Sequence, residues 1–212
     1  MTKAILFDFW GTLVENGTYS PLRQSYALLR PRMPFGEFAE TFEKAFMTKK
    51  FDEQTQGFNA VCEALQIPAK PFIIDKLIGL WNKNRMLAKL YPETTKVLEE
   101  LKKKGYKLCL VSNTDALIQQ LIERFDITKY FDAMIFSYET GTLKTEPAFY
   151  ETALKELKVK KTEALVVGDS VETDMLGAEN AGIKCVLVDR KNKREYEPKI
   201  QTLEELEQFI EK

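Results

Sequence analysis

Four consecutive apolar residues, Ala4-Ile5-Leu6-Phe7, run into the carboxylate of Asp8. A run of that length, followed closely by Gly11, predicts a buried strand that ends in a sharp turn. Beyond Ser20 the pattern changes to helical spacing. Phe38, Phe42 and Phe46 recur every fourth residue. Phe58, Val61, Cys62 and Leu65 share a second helical face, and Ile73, Leu77, Leu80, Trp81 and Asn84 a third. Pro21, Pro31, Pro34, Pro68 and Pro71 fall where such helices would start and stop. Residues 15–88 therefore read as a small helical insertion without a strand. Its aromatic stripe is expected to be its own core rather than a ligand cradle.

After Tyr91-Pro92 helices and strands alternate. Glu93 to Lys104 has Val97, Leu98 and Leu101 on one face and is closed by Gly105. Tyr106 to Val111 is an apolar strand. Asp115 can cap a helix carrying Leu117, Ile118, Leu121, Ile122 and Phe125. Further strands are predicted at Ala133–Phe136, Ala164–Val167 and Cys185–Val188, and helices at Pro147–Leu157 and Asp174–Ala181. Leu203, Leu206, Phe209 and Ile210 belong to a terminal helix. This order predicts an α/β chain with a Rossmann-like, mostly parallel sheet and helices on both faces. The sheet-bearing core would comprise residues 1–14 and 89–212, with the helical domain at 15–88. The basic run Arg190 to Arg194 is expected to be a solvated loop.

Composition narrows the chemistry more than the fold. The 212 residues are 44 % hydrophobic and 30 % charged, with a formal net charge of −1. That balance predicts a soluble protein with no nucleic-acid surface. No apolar run approaches the ~20 residues that span a bilayer, and the start of the chain is too short in apolar residues for a signal peptide. The three cysteines form no CxxC pair, in keeping with a reducing, cytoplasmic setting. Histidine is absent altogether. That excludes Ser-His-Asp and Cys-His catalysis and His-ligated zinc.

The predicted strands end in polar groups: Asp8, then Ser112-Asn113-Thr114, then Gly168-Asp169-Ser170 with Asp174 five residues past Asp169. Lys144 follows the Ala133–Phe136 strand. In a parallel sheet these ends share one edge. Asp169 and Asp174 taken singly could be helix caps. Together, three carboxylates without His or Cys make a hard oxygen site suited to Mg²⁺. Lys144 and the metal would hold an anion beside a negative nucleophile, Ser112 and backbone N–H groups would bind its remaining oxygens, and a carboxylate could attack to form an aspartyl-phosphate.

These residues resemble the motifs of the haloacid dehalogenase superfamily. Asp8-Phe9-Trp10-Gly11-Thr12-Leu13 matches the first motif except at its second Asp. Ser112 stands for the second motif, Lys144 for the third, and Gly168-Asp169-Ser170 through Asp174 for the fourth. The resemblance covers the core, and the insertion has the size of the family's helical cap. It implies that Asp8 is nucleophile and metal ligand, and that Ser112, Asn113 and Lys144 bind the phosphoryl group. Asp169, Asp174 and the Trp10 backbone carbonyl would complete the Mg²⁺ site.

Trp10 stands where family phosphatases carry their acid–base Asp, and an indole N–H has no useful acidity. Three readings follow. The first is a Mg²⁺-dependent phosphatase of a small phosphorylated metabolite, with another residue such as Glu15 supplying the proton. The second is a 2-haloacid dehalogenase, since halide leaves without a proton; its cap arginine would be sought among Arg23, Arg30 and Arg32. The third is a binding protein on a retired enzyme fold. The intact pair Asp169 and Asp174 ranks the phosphatase first. Neither nucleic acid nor membrane is an expected partner, and the chain could be a monomer or a homodimer.

Overall fold

The computed structural model of the chain describes residues 1–210. Strand β1 (Ala4–Asp8) leads through a turn to β2 (Val14–Glu15). Helices α1 (Pro21–Leu29), α2 (Phe35–Met47), α3 (Gln54–Ala64) and α4 (Pro71–Leu87) follow. The chain returns along β3 (Lys89–Leu90), which pairs antiparallel with β2. Then come α5 (Thr94–Lys103), β4 (Lys107–Ser112), α6 (Ile118–Arg124), β5 (Ala133–Phe136), α7 (Ser137–Thr140), α8 (Pro147–Leu157) and β6 (Ala164–Gly168). The remainder is α9 (Leu176–Ala181), β7 (Lys184–Val188), β8 (Lys199–Ile200) and α10 (Glu207–Ile210).

The main sheet has the order β5-β4-β1-β6-β7-β8, and every neighbouring pair is parallel. Strand β1 sits between β4 and β6, where the winding of the chain reverses direction. A crevice opens at such a point beyond the carboxyl ends of the strands. Alternate residues of each strand face opposite sides. Ile5, Phe7, Leu108 and Leu110 pack in one buried layer with Leu98 and Ile122 of α5 and α6. Leu6, Cys109 and Val166 pack in a second with Phe149, Tyr150 and Ala178 of α8 and α9. Covering both faces explains why these strands read as continuous apolar runs.

The helices between β2 and β3 bury a third, separate cluster. Phe38, Phe42, Phe46, Phe58 and Trp81 are its largest buried members, with Leu77 fully buried among them. The Trp81 ring stacks on Phe42 with centroids 5.4 Å apart, and its Nε1–H donates to Ser25 Oγ at 3.0 Å. The aromatic stripe is thus packing material, as its spacing predicts. Pro21, Pro71 and Pro147 each occupy the first turn of a helix, where a missing N–H costs nothing.

Several elements depart from the expected bounds. The helix expected from Asp174 begins earlier, with a π-helical turn at Val171–Met175, because the Ser170 hydroxyl accepts from Thr173 N–H and starts it. The terminal helix opens as a 3₁₀ turn at Leu203–Leu206. Strands β2, β3 and β8 have only two residues each, too few to leave a periodic signal. No helix among the described residues is long and apolar enough to cross a membrane.

Phe42 is fully buried among aromatic rings that cannot collapse into its space. Phe42→Ala is expected to lower the unfolding free energy by about 3–5 kcal/mol, read by urea titration.

Candidate active site

Asp8 ends β1 and is 5 % exposed. Gly11 turns the chain immediately afterwards at φ +79°, a conformation that favours glycine. A Cβ on Gly11 would lie 2.3 Å from Asp169 Oδ2, so this turn also lets the backbone press against the carboxylate at the end of β6. Thr12 folds back and donates from Oγ1 to Asp8 Oδ2 at 3.0 Å.

Lys144 lies in the loop between α7 and α8 and is 2 % exposed. Its ammonium donates to Asp8 Oδ1 at 2.5 Å and to Asp174 Oδ1 at 2.7 Å. The other Asp174 oxygen accepts from Ser170 N–H at 3.1 Å. The π-helical turn therefore holds Asp174 inward, 1 % exposed. Lys144 is itself positioned through its backbone, whose N–H donates to Asn113 Oδ1 at 2.9 Å. Ser112, at the end of β4, is 1 % exposed, and among the described residues its hydroxyl makes only a 3.4 Å contact to the Asn113 carbonyl.

The charges do not balance. Asp8, Asp169 and Asp174 each bring a carboxylate oxygen within 4.8 Å of the others. Lys144 faces two of them, and Arg194 stands 3.8 Å from Asp169. Burial raises the Asp8 carboxyl to about 7 against the pull of Lys144. Burial, with Asp8 and Asp174 adding repulsion, raises Asp169 to about 8. Burial disfavours the Lys144 ammonium, but Asp174 and Asp8 reverse that and raise its pKa. Clustered, under-neutralised carboxylate oxygens are the donor set of a hard divalent cation, so the residues fit Mg²⁺.

A cleft of about 250 Å³ opens over this cluster. The predicted residues Asp8, Trp10, Ser112, Asn113, Lys144, Asp169 and Asp174 all line it. Glu15 does not; it is exposed on β2. Arg23, Arg30 and Arg32 do not either, and Arg23 instead lies over the Phe35 ring.

The opposite wall was not foreseen. Glu43 of α2 and Arg85 of α4 line the cleft from the helical insertion. Glu43 Oε2 accepts from Asn113 Nδ2 at 3.0 Å, and Arg85 pairs with Asp115. Glu43 flanks the Phe42 and Phe46 stripe, but periodicity alone does not say which way a flank faces.

The run Arg190 to Arg194 also differs from expectation. Lys191 and Lys193 are exposed, but Arg190 donates to the carbonyls of Thr12 at 2.7 Å and Gly11 at 3.3 Å and pairs with Glu93 at 2.7 Å. Arg194 donates to the Asp169 carbonyl. Loops after β1, β6 and β7 converge here, and their carbonyls need donors. The two arginines supply them.

A parallel sheet whose switch point gathers three aspartates and a lysine under a helical insertion defines a hydrolase of the aspartate-centred α/β type. Residues 2–182 match the model of the haloacid dehalogenase-like hydrolases, and the chain belongs to that family. It is 30 % identical over 195 residues to a glyceraldehyde 3-phosphate phosphatase of Methanothermobacter thermautotrophicus, covering 89 % of this chain and 86 % of that protein. It is 32 % identical over 209 residues to a phosphoserine phosphatase of Thermus thermophilus, covering 90 % and 82 %. Among solved structures, a HAD phosphatase from Thermococcus onnurineus superposes with a TM-score of 0.66 at 26 % identity, covering 99 % and 98 % of the two chains. A 2-haloacid dehalogenase from Pseudomonas syringae, at 21 % identity and a TM-score of 0.66, shares the fold.

Gly177 of α9 lets the Lys144 backbone approach. A Cβ there would lie 2.2 Å from the Lys144 carbonyl oxygen, whereas one on Gly79 inside α4 meets nothing within 4 Å. Gly177→Ala is expected to cost about 1–3 kcal/mol by overpacking. Gly79→Ala is expected to stabilise by about 0.5–1 kcal/mol through helix propensity. Paired denaturation curves check both signs.

Proposed function

We propose that this hydrolase is a Mg²⁺-dependent phosphomonoesterase that cleaves a small phosphorylated metabolite through an aspartyl-phosphate on Asp8. The observation that carries the reading is the buried cluster itself. Three carboxylate oxygens lie within 4.8 Å of one another with Lys144 bridging two of the three residues. A dehalogenation site has no use for that excess of negative charge. The relatives named for phosphatase activity on two small phosphate esters support the same choice, and a cleft of about 250 Å³ suits a substrate of that size.

In this reading Asp8, Asp169, Asp174 and the Trp10 backbone carbonyl hold the cation. Bound Mg²⁺ supplies the positive charge that lets a phosphate dianion approach three carboxylates. Lys144 orients Asp8 through its short hydrogen bond and offers its ammonium to the phosphoryl oxygens. The Ser112 hydroxyl, held only weakly by its neighbour's carbonyl, can turn to a phosphoryl oxygen. Asn113 fixes the Lys144 loop and lies beside the same group. Asp8 then attacks phosphorus in line with the leaving oxygen. The helical insertion acts as a cap, with β2 and β3 as its stem, and keeps bulk water from the intermediate.

Hydrolysis of p-nitrophenyl phosphate tests the reading. Turnover is expected with Mg²⁺ and not with EDTA. Asp8→Asn is expected to lower it at least about 10³-fold, as loss of a nucleophile does. Asp169→Asn is expected to raise the Mg²⁺ concentration needed for half-maximal rate. Metal-independent turnover, or full activity in Asp8→Asn, contradicts the assignment.

A further inference from the structure

The carboxylates that line the cleft are Asp8, Glu43, Asp115, Asp169 and Asp174. Three belong to the proposed cation site. Asp115 is committed to its ion pair with Arg85 and to the Leu117 N–H, which it accepts at 2.9 Å. Glu43 is committed only on one oxygen. It makes no ion pair among the described residues, and its Oε1 has no hydrogen-bond partner among them. Its Oε2 is tied to Asn113 Nδ2, and Asn113 Oδ1 in turn accepts from Lys144 N–H. Through that chain the carboxyl of Glu43 is held over the residues proposed to bind the phosphoryl group. It comes from α2 of the helical insertion and shares the cleft with Asp8 and Lys144, within reach of a substrate oxygen bound there.

The structure assigns to Glu43 the general acid–base role that Trp10 cannot fill, an assignment that rests on the phosphatase reading. As Asp8 forms its bond to phosphorus, the bond from phosphorus to the substrate oxygen breaks, and the Glu43 carboxyl gives its proton to that oxygen to release an alcohol. The Glu43 carboxylate then takes a proton from water as the water oxygen attacks phosphorus. The bond from phosphorus to Asp8 breaks, inorganic phosphate leaves, and both carboxyl groups return to their starting states. A side chain from the helical insertion would thus complete the site only when that insertion lies over it.

The electrostatics agree with the geometry. Burial raises the Glu43 carboxyl to about 7, opposed by the Asn113 hydrogen bond and Lys144, and reinforced by Asp174 and Asp8. Arg85 and Asp115 on the same cleft neutralise each other. A group poised near neutrality can serve as acid in one half-reaction and base in the next.

Leaving-group dependence tests the role. Phenyl phosphate and p-nitrophenyl phosphate have nearly the same shape, but only the first needs a proton on its departing oxygen. Glu43→Gln can keep the Asn113 hydrogen bond while removing the acid. It is expected to lower kcat/KM for phenyl phosphate about 10²-fold, the low end for general acid catalysis, and that for p-nitrophenyl phosphate by no more than about threefold. Over the rise that ionisation of Asp8 brings, kcat/KM for phenyl phosphate in the native protein should carry a limb that falls as pH rises through about 7, where the Glu43 carboxyl loses its proton. That limb should vanish in Glu43→Gln and persist in Glu43→Asp. Equal losses on both substrates with the limb retained would make Glu43 a latch between insertion and sheet, and would overturn the assignment. No loss on either would overturn it too. Both results are distinct from failure of the phosphatase reading, in which the native protein turns over neither ester or Asp8→Asn turns over both.

Discussion

The Lys144 ammonium, buried between Asp8 and Asp174, is the interaction on which the rest of this structure turns. Desolvating three charged groups is costly, and such a cluster survives only when its geometry is good and its remaining lone pairs are satisfied. Here they are: Thr12 serves the free oxygen of Asp8, Ser170 N–H serves that of Asp174, and Asn113 anchors the lysine backbone. Removing one member of a buried ion pair typically costs about 3–5 kcal/mol. The end of β1 and the loops after β6 and α7 are therefore held together by one side chain, and Asn113 ties the loop after β4 to its backbone. Moving the Asp8, Asp174 or Lys144 segment alone would strand a buried charge.

That constraint explains features that otherwise look unrelated. Gly11 and Gly177 are placed where the backbone must approach Asp169 and Lys144 closely. The π-helical turn after β6 rotates Asp174 inward instead of leaving it as an ordinary first-turn carboxylate. Arg190 and Arg194 reach from the loop after β7 to the carbonyls of Gly11, Thr12 and Asp169, so even the outer rim braces the same turn. Against this rigid floor the helical insertion contributes its own separately packed aromatic core and polar contacts that include Glu43 to Asn113, Arg85 to Asp115, and the carbonyls of Arg85, Met86 and Ala88 that accept from Arg124. The floor is suited to hold an anion and a cation, and the insertion to decide what else enters.

Much of this was legible in the chain. Four-residue apolar runs such as Ala4 to Phe7 and Ala164 to Val167 read as buried strands, and in a parallel sheet the carboxylates at their ends share one edge. The absence of histidine left carboxylates, lysine and hydroxyls as the only chemistry. The cleft's other wall was not legible. Glu43 sits one residue from a buried phenylalanine, and periodicity marks it only as a flank; which flank faces Asn113 depends on how four helices pack. Glu15 was suggested by its position near the hinge of the helical insertion, but it is exposed on its short strand. The basic run after β7 misled for a similar reason. Two of its charges are solvated as expected, and the two arginines are enlisted by carbonyls that come from distant parts of the chain.

The claim that Asp8 is a preorganised phosphoryl acceptor can be tested without turnover. Beryllofluoride mimics an acyl phosphate on a carboxylate, and its fluorine NMR signals separate bound from free species. With Mg²⁺ present, bound resonances are expected in the native protein, and they should disappear in Asp8→Asn and on adding EDTA. Native protein that gives only free resonances at saturating Mg²⁺ and beryllofluoride, or bound resonances that persist in Asp8→Asn, would contradict it.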